Sequence, residues 1–394
     1  MTIKLARRTH KIKPSATLAI TAKANALKAA GEDVIGLGAG EPDFDTPAVA
    51  KQAAIDAINS GMTKYTAVAG TIDLRQAICD KFRRENKLDY ELNQILVSVG
   101  AKHSIYNLCQ ALLDNGDEVI IPAPYWVSYP DMVQLAEGTP VIIHTEIEQH
   151  FKITAKELKG ALTNKTRLLI LNSPSNPTGS VYSASELRAL GDVLADYPKV
   201  VILSDDIYEH IYWSREPFCN IVNVCPELIP RSIVINGVSK AYAMTGWRIG
   251  YAAGPVELIS AMTTIQSQST SNATSIAQAA ATAALNSPAE DLNHMVEAFK
   301  QRHDYVVAML NSINGIHCIE STGSFYAFPH VQGLIDAVDG VNDDVALAEY
   351  LISELGVALV PGSAFGAPGY MRLSFATDLS TLKDALTRIA KRFN

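Results

Sequence analysis

The stretch Ser232-Ile-Val-Ile-Asn236-Gly-Val-Ser-Lys240 decides how the rest of the chain is interpreted. Its first half is an apolar, β-branched run that is typical of a buried strand, and a lysine follows directly after it. Most lysines are exposed to solvent, so a lysine in this position needs a reason. A desolvated lysine has a lowered pKa and becomes a nucleophile toward carbonyl groups. Lys240 is therefore a candidate catalytic residue.

Similar apolar runs recur through the middle of the chain and predict further strands. They lie at residues 95–99, 118–121, 141–144, 167–171, 200–203 and 249–253, and a helical pattern fills residues 103–113. Continuous apolar strands that alternate with helices predict a mostly parallel sheet covered by helices on both faces. We therefore predict an α/β fold with a large domain at residues 46–290.

The two ends of the chain have a different pattern. A long helical pattern at residues 291–311 is followed by strand patterns near 324–329, 357–360 and 371–375, with helical patterns at 344–354 and 379–392. Strands at such irregular spacing predict a smaller α+β domain, formed by residues 1–45 together with 291–394.

Composition excludes several classes of protein. The 394 residues carry a net charge of -8, with 48% hydrophobic and 19% charged residues, which indicates a well-packed soluble enzyme and no nucleic-acid partner. We see neither a signal peptide nor an apolar run long enough to span a membrane. The five scattered cysteines indicate reduced thiols and a cytoplasmic protein, and the nine histidines show no metal-binding spacing, so we predict no metal site.

Polar or aromatic groups follow five of the predicted strands. Because ligands of open parallel sheets bind beyond the carboxyl ends of the strands, these groups are expected to meet. Asp205 and Lys240 are the most informative pair, since an aspartate near a reactive lysine can keep a pyridinium nitrogen protonated. The groups in question are Gly100-Ala-Lys102, Tyr125-Trp126, Asn172 with Asn176, Asp205 with Tyr208, and Ser239-Lys240.

The segment around Lys240 resembles the signature of a known family. Gly237-Val-Ser-Lys240-Ala-Tyr-Ala-Met-Thr-Gly-Trp-Arg248-Ile-Gly250 is similar to the pyridoxal-phosphate (PLP) attachment signature of class I aminotransferases of the aspartate aminotransferase type. The resemblance covers nearly the whole chain and is closest to a bacterial subgroup with Gly-Glu-Pro-Asp-Phe-Asp-Thr-Pro, here residues 40–47. It implies the PLP-transferase type I fold, PLP as cofactor, and a cytoplasmic homodimer with shared active sites.

The resemblance assigns roles to the residues around the cofactor ring. Lys240 matches the lysine that attaches the cofactor and later moves a proton, and Asp205 matches the partner of the ring nitrogen. Tyr208 and Asn176 match the donors to the ring oxygen, and Trp126 matches the aromatic residue that stacks on the ring. Lys240, Asp205 and Tyr208 are thus the implied catalytic residues.

The resemblance also assigns the phosphate and the substrate sites. Arg248 matches the arginine that binds the cofactor phosphate, together with Gly100, Ala101 and Lys102 at a helix start. Tyr65 matches a tyrosine that reaches the phosphate of the neighbouring subunit. For the substrate, Arg372 matches the arginine that binds the α-carboxylate, assisted by Gly40, with Trp126 and Asn176 nearby.

One position departs from the family pattern. Some aspartate aminotransferases have a phosphate-binding serine three residues before the lysine, where this chain has Gly237, and Ser239 is a possible replacement.

The substrates that the resemblance implies are small amino acids and 2-oxo acids, with L-aspartate and 2-oxoglutarate first. The alternative is prephenate or aromatic transamination, alone or as a second activity. Lys102 and Lys13 are candidates for the cation that selects the distal carboxylate.

Other functions remain as alternatives. Gly36-Leu-Gly38-Ala-Gly40 resembles a dinucleotide fingerprint, but Glu41 and the prolines after it do not fit a helix start. A non-catalytic regulator on the same fold conflicts with the intact set of Lys240, Asp205, Arg248 and Arg372. A PLP-dependent decarboxylase, synthase or lyase is the remaining rival, and Arg372 favours retention of the substrate carboxylate.

Overall fold

The structure is a computed structural model that describes residues 3–12 and 14–394. Lys13, a candidate from the sequence, lies outside the described residues. The strands are β1 (Ile35–Gly36), β2 (Ile95–Ser98), β3 (Glu118–Ala123), β4 (Thr139–His144), β5 (Thr166–Asn172), β6 (Val201–Asp205), β7 (Ser232–Gly237), β8 (Gly250–Ala253), β9 (Tyr326–Ala327), β10 (Val357–Ala358), β11 (Val360–Pro361) and β12 (Met371–Ser374).

The helices alternate with these strands through the middle of the chain. The α-helices are α1 (Ala16–Ala29), α2 (Ala48–Asn59), α3 (Ile72–Lys81), α4 (Ala101–Leu112), α5 (Ser128–Leu135), α6 (Ala155–Ala161), α7 (Ala184–Ala195), α8 (Ile221–Val224), α9 (Val256–Ser267), α10 (Ser275–Leu285), α11 (Asn293–Asn311), α12 (Gln332–Asp336), α13 (Asp344–Glu354) and α14 (Leu379–Phe393). A π-helical turn, Phe82–Asn86, extends α3, and 3₁₀ turns occupy Arg7–His10, Leu92–Gln94, Ile147–Gln149, Pro226–Arg231, Thr245–Trp247, Ala289–Leu292 and Gly362–Phe365.

The central sheet has the strand order β2-β8-β7-β6-β5-β3-β4. β8 is antiparallel to both of its neighbours, and the other pairs are parallel. Alternate residues of these apolar strands enter two hydrophobic clusters, for example Ile202 and Val234 on one face and Leu203 and Ile233 on the other. The mostly parallel sheet with helices on both faces is therefore confirmed.

A second, smaller unit packs beside the sheet. It contains the antiparallel sheet β11-β12-β9 and the parallel pair β1-β10, and α11 packs against α14. Its hydrophobic cluster combines Ile35 and Leu37 with residues from 295 to 389, and it also includes Tyr208 from the central unit. We propose the domain division at 46–290 against 1–45 with 291–394, which this separate cluster supports.

The element bounds differ from the predictions mainly in the small unit. The strand predicted at residues 324–329 contains only β9, and the run at 357–360 is two strands rather than one. The second prediction was wrong because the chain changes sheets inside the run: β10 pairs with β1, whereas β11 pairs with β12. Within the described residues, no helix is long and apolar enough to cross a membrane.

Candidate active site

The carboxyl ends of the central strands meet the small unit at a cavity of about 370 Å³. This volume is within the range of sites for small ligands. The structure brings most of the predicted site residues together around it: Gly40, Ala101, Lys102, Trp126, Asn176, Asp205, Tyr208, Lys240, Arg248 and Arg372 all line the cavity. Parallel strands end at one edge of a sheet, which explains why residues distant in sequence converge here.

Lys240 extends into the cavity from the turn that follows β7. Its ammonium group donates a 2.6 Å hydrogen bond to the carbonyl oxygen of Gly40. Burial, with help from the positive charge of Arg248, lowers the pKa of Lys240 to about 8. A substantial fraction of the amine is thus neutral near physiological pH, which suits a nucleophile toward a carbonyl group.

Asp205 ends β6 and is 3% exposed. The hydroxyl of Tyr129 donates a 2.5 Å hydrogen bond to its Oδ2. Burial raises the pKa of Asp205 to about 6, and the bond from Tyr129 opposes that rise. Asp206 is directed away from this cavity and accepts from Ser204 and Asn220. A buried carboxylate at the cavity can bind a cationic ring nitrogen, and Asp205 is the one of the two that is placed there.

Arg248 and the start of α4 form an anion-binding corner. Arg248 donates to the carbonyl oxygens of Thr245 at 2.9 Å and Val99 at 3.4 Å, and Gly100 immediately precedes α4. Gly100 has φ +84°, and a Cβ atom there would lie 2.2 Å from Nη2 of Arg248. A helix N-terminus beside a guanidinium group favours a phosphate or another dianion.

The structure also explains the departure at Gly237. A Cβ atom at this position would lie 2.9 Å from the carbonyl oxygen of Ile249, so a serine does not fit without a shift of the backbone. Ser239, in contrast, lines the cavity. A serine hydroxyl is thus available two residues after Gly237.

Arg372 approaches the cavity from β12 of the small unit and is 2% exposed. Its Nη1 donates to Oδ1 of Asn176 at 2.9 Å and its Nη2 to the carbonyl oxygen of Gly38 at 2.6 Å. The guanidinium group lies 4.4 Å from the ring centre of Tyr326 and 4.9 Å from that of Phe365. The two aromatic rings and the two hydrogen-bond acceptors therefore fix the orientation of the Arg372 guanidinium group. This planar group can bind a carboxylate through two N–H groups.

Lys102 and Trp126 form another part of the cavity wall. The Lys102 ammonium group lies 4.9 Å from the ring centre of Trp126. Burial, followed by repulsion from Arg248, lowers the pKa of Lys102. A solvent-accessible cation on an aromatic wall is suited to a second anionic group of a ligand.

Two predicted residues do not line the cavity. Gly100 lies directly behind it, against Arg248. Tyr65 is 92% exposed and therefore makes no part of the site in its own chain.

Sequence reasoning missed several residues of the cavity. Tyr326 contacts Arg372, and its hydroxyl lies 3.0 Å from that of Tyr208. Nothing in the sequence around Tyr326 indicates this role. Tyr129 was detectable, because it follows Trp126 by one helical turn. Further lining residues that were missed are Ser15, Thr17 and Leu18 of the N-terminal segment, and Val127, Ser128 and Ile207.

Comparison with known proteins agrees with this fold. Residues 32–389 match the model of the family "Aminotransferase class I and II". The chain belongs to this family, so it is an aminotransferase, and the predicted family is confirmed.

Individual relatives narrow the similarity further. The aspartate/prephenate aminotransferase of Nitrosomonas europaea is 57% identical over 98% of this chain and 99% of its own. The aspartate aminotransferase of Bacillus subtilis is 49% identical over 99% of both. The crystal structure of the aspartate aminotransferase from Rhizobium meliloti superposes with a TM-score of 0.95 at 49% identity, covering 99% of this chain and 98% of that one.

Proposed function

We propose that this protein is a PLP-dependent aspartate aminotransferase, which transfers the amino group of L-aspartate to 2-oxoglutarate in a ping-pong reaction. The observation that carries the proposal is the single cavity lined by Lys240, Asp205, Arg248 and Arg372. The names of the relatives from Nitrosomonas europaea and Bacillus subtilis support the choice of aspartate.

The residues of the cavity fit PLP by their chemistry. The corner of Arg248 and the α4 N-terminus suits the phosphate, the buried Asp205 suits the ring nitrogen, and Lys240 suits the aldehyde. We propose that Tyr208 and the NH₂ group of Asn176, whose oxygen already accepts from Arg372, would donate to the ring oxygen, since both residues line the cavity. Trp126, on the same cavity wall as Lys102, would cover one face of the ring.

The cofactor, when bound, supplies a carbonyl group that condenses with amines and a ring that takes up electrons from the substrate Cα. The chain supplies the rest of the chemistry. Arg372 binds the substrate α-carboxylate and orients the Cα–H bond, and Asp205 keeps the ring nitrogen protonated. Lys240 accepts the proton from Cα and would pass it to the former aldehyde carbon of the cofactor.

Lys102 is our candidate for the side-chain carboxylate of aspartate. Among the described residues that line the cavity, it is the remaining cation besides Lys240, Arg248 and Arg372, and it lies beside Trp126. A dicarboxylate bound to Arg372 and Lys102 would be held at both ends. In agreement, the structure of the aspartate aminotransferase from Thermus thermophilus with maleate, a dicarboxylate, superposes with a TM-score of 0.92 at 42% identity, covering 99% of this chain and 100% of that one.

Prephenate is a second candidate substrate. Prephenate also carries two carboxylates, and the relative from Nitrosomonas europaea is named for both activities. The apolar wall of Trp126 provides a surface for a larger ring. We therefore propose prephenate transamination as a second activity of the same site.

A homodimer with shared active sites is also proposed. Tyr65 is 92% exposed and points to no site in its own chain, which fits a residue that acts in a neighbouring copy. If Tyr65 and Lys240 of one site come from different chains, mixing Tyr65→Ala with Lys240→Ala chains restores one intact site per hybrid dimer. Recovery of activity on mixing supports sharing, and no recovery despite hybrid formation contradicts it.

The free thiols of all five cysteines support the proposed cytoplasmic location.

The central test is an assay of the purified protein loaded with PLP. We expect turnover of aspartate with 2-oxoglutarate, weaker or comparable turnover with prephenate as acceptor, and loss of nearly all activity in Lys240→Ala. A wild-type protein without aspartate turnover, or a Lys240→Ala variant with wild-type rates, contradicts the proposed function.

A further inference from the structure

A buried polar network lies behind the segment that carries Asp205 and Tyr208, on the side facing away from the cavity. Its centre is Glu209, which is 7% exposed. The Glu209 carboxylate accepts from Lys81, from Nδ2 of Asn86 at 2.8 Å and from Nδ2 of Asn236 at 2.7 Å. Lys81 is itself 0% exposed. Such a set of donors is what a buried carboxylate needs in order to remain ionised.

This network already contains its own cation. Glu85, Glu209 and His210 bring their ligand atoms close together, in an arrangement that could suit a metal ion. The Lys81 ammonium group bonds to Glu209 and lies 3.7 Å from Glu85, which bonds to His210 at 2.9 Å. The positive charge of Lys81 thus balances the carboxylates. Burial alone would raise the pKa of Glu209, but Lys81 and His210 outweigh this effect, so the pKa of Glu209 is lowered.

Glu209 connects the two segments that carry the central site residues. On one side it directly follows Tyr208 and lies four residues after Asp205. On the other side it bonds to Asn236, which lies four residues before Lys240 and accepts a 2.7 Å hydrogen bond from the backbone N–H of Gly237. A single carboxylate therefore joins the Asp205 segment to the Lys240 segment.

The pairing between β6 and β7 stops just before this point. It ends at Asp205 and Ile235, and the backbone N–H of Asp206 donates to the carbonyl oxygen of Ile235 at 2.9 Å. Beyond it the chain after β6 leaves the sheet as a turn, whereas Asn236 and Gly237 of β7 remain paired with β8. The bond from Asn236 to Glu209 continues the link between the two segments. Lys81 and Asn86 fasten the same carboxylate to the end of α3 and the π-helical turn.

We propose that Glu209 is a positioning residue, which fixes the placement of Asp205 relative to Lys240. The inference rests on the proposed function, because those two residues are assigned to two ends of one rigid cofactor ring. A rigid ring tolerates little error in the distance between its partners, and small misplacements of reacting groups are costly in rate. Arg372 is held by a different part of the chain, so carboxylate binding does not depend on Glu209 directly.

The test compares Glu209→Gln with a control variant in the PLP-loaded enzyme. Leu190→Ala is the control, because Leu190 is buried in the large hydrophobic cluster on α7 and does not line the cavity. We measure the unfolding temperature, kcat and KM for aspartate, and the pH midpoint of the visible absorption band of the bound cofactor. This pH midpoint depends on the surroundings of Lys240 and the ring. A substitution that only lowers stability does not displace the midpoint.

We expect Glu209→Gln to lower kcat by about ten-fold or more with KM changed by less than about three-fold, and to displace the midpoint of the absorption band. Leu190→Ala is expected to lower the unfolding temperature while it keeps the wild-type midpoint. If Glu209→Gln loses stability but retains the midpoint and a kcat within about two-fold of the control, the positioning role is wrong.

A second variant covers the case in which Glu209→Gln does not fold because Lys81 is left unpaired. Lys81→Met with Glu209→Gln removes both charges and leaves no buried ion without a partner. A folded double variant with a displaced midpoint supports the proposal, and one with a wild-type midpoint overturns it. Failure of the proposed function is recognised separately, because in that case the wild-type enzyme itself lacks aspartate turnover.

Discussion

Tyr129 donates a 2.5 Å hydrogen bond from its hydroxyl group to the carboxylate of Asp205, and both side chains are buried. The bond lowers the pKa of Asp205, which burial alone would raise further. Asp205 must be ionised to hold a proton on the ring nitrogen of the cofactor. Tyr129 therefore extends the pH range over which the proposed reaction works toward acid.

Replacement of Tyr129 by phenylalanine tests this relationship. Loss of the donor raises the pKa of Asp205, so the acid limb of the kcat/KM profile is expected to move to higher pH, with a loss of about ten-fold at its acid end. Tyr182→Phe is a matched control, since Tyr182 is also buried but its hydroxyl bonds to the backbone of Ile153 away from the cavity. An acid limb that stays in place in Tyr129→Phe contradicts the assignment.

The lowered pKa of Lys240 predicts how the apoprotein captures its cofactor. Only the neutral amine attacks an aldehyde, and burial together with Arg248 lowers the pKa of Lys240 to about 8. The rate at which apoprotein acquires visible absorption from added PLP should therefore rise with pH through about 8, well below the 10.5 of an ordinary lysine. Stopped-flow absorbance at a series of pH values measures this, with Lys240→Ala as the blank. A midpoint near the ordinary value speaks against a desolvated amine.

Lys102 is predicted to select substrates with a second carboxylate. In Lys102→Ala we expect KM for aspartate to rise by about ten-fold or more, and KM for an apolar amino acid to change by less than about three-fold, because only aspartate loses an ionic contact. Steady-state kinetics with both donors gives the ratio directly. Equal changes for the two donors would count against Lys102 as the partner of the distal carboxylate.

Gly100 is predicted to be essential for the phosphate corner. A methyl group there would collide with Arg248 at 2.2 Å, in addition to the strain of φ +84°. Gly100→Ala should therefore weaken PLP binding by about ten-fold or more, as measured by titration of the apoprotein. Gly116→Ala is the matched control, because Gly116 also has positive φ, at +99°, but nothing lies within 4 Å of a Cβ atom there. Similar losses in both variants would show that backbone strain, and not displacement of Arg248, is the cause.

The central sheet was predictable because its strands are short, apolar and regularly spaced. The run before Lys240, predicted as a strand at residues 232–236, is β7 at Ser232–Gly237. The small unit was harder, because β10 and β11 are adjacent in sequence yet pair in different sheets. The apolar pattern of residues 357–360 shows that they are buried, but it does not show where the chain changes partners.

The candidate site was likewise predictable where it depends on the central sheet and unpredictable where it depends on the small unit. Asp205 and Lys240 were identified because each follows a buried strand of one sheet, and such ends converge. Tyr326 was not, because it reaches Arg372 through the pairing of β9 with β12, and Tyr208 only through the packing of the small unit on the large one. Glu209 was also missed, since a carboxylate next to a predicted site residue gives no sign of its burial or of its bond to Asn236.

The short stretch from Gly38 to Gly40 offers its carbonyl oxygens to two cations of the site, Gly38 to Arg372 and Gly40 to Lys240. An incoming molecule thus competes with the protein's own backbone for the same N–H groups. A carboxylate is the stronger acceptor and can displace a neutral carbonyl group from a guanidinium. A simple amine without a carboxylate has no such group to exchange, so it meets a site that is already satisfied. Discrimination against biological amines is therefore expected from the bond that Gly38 already makes to Arg372.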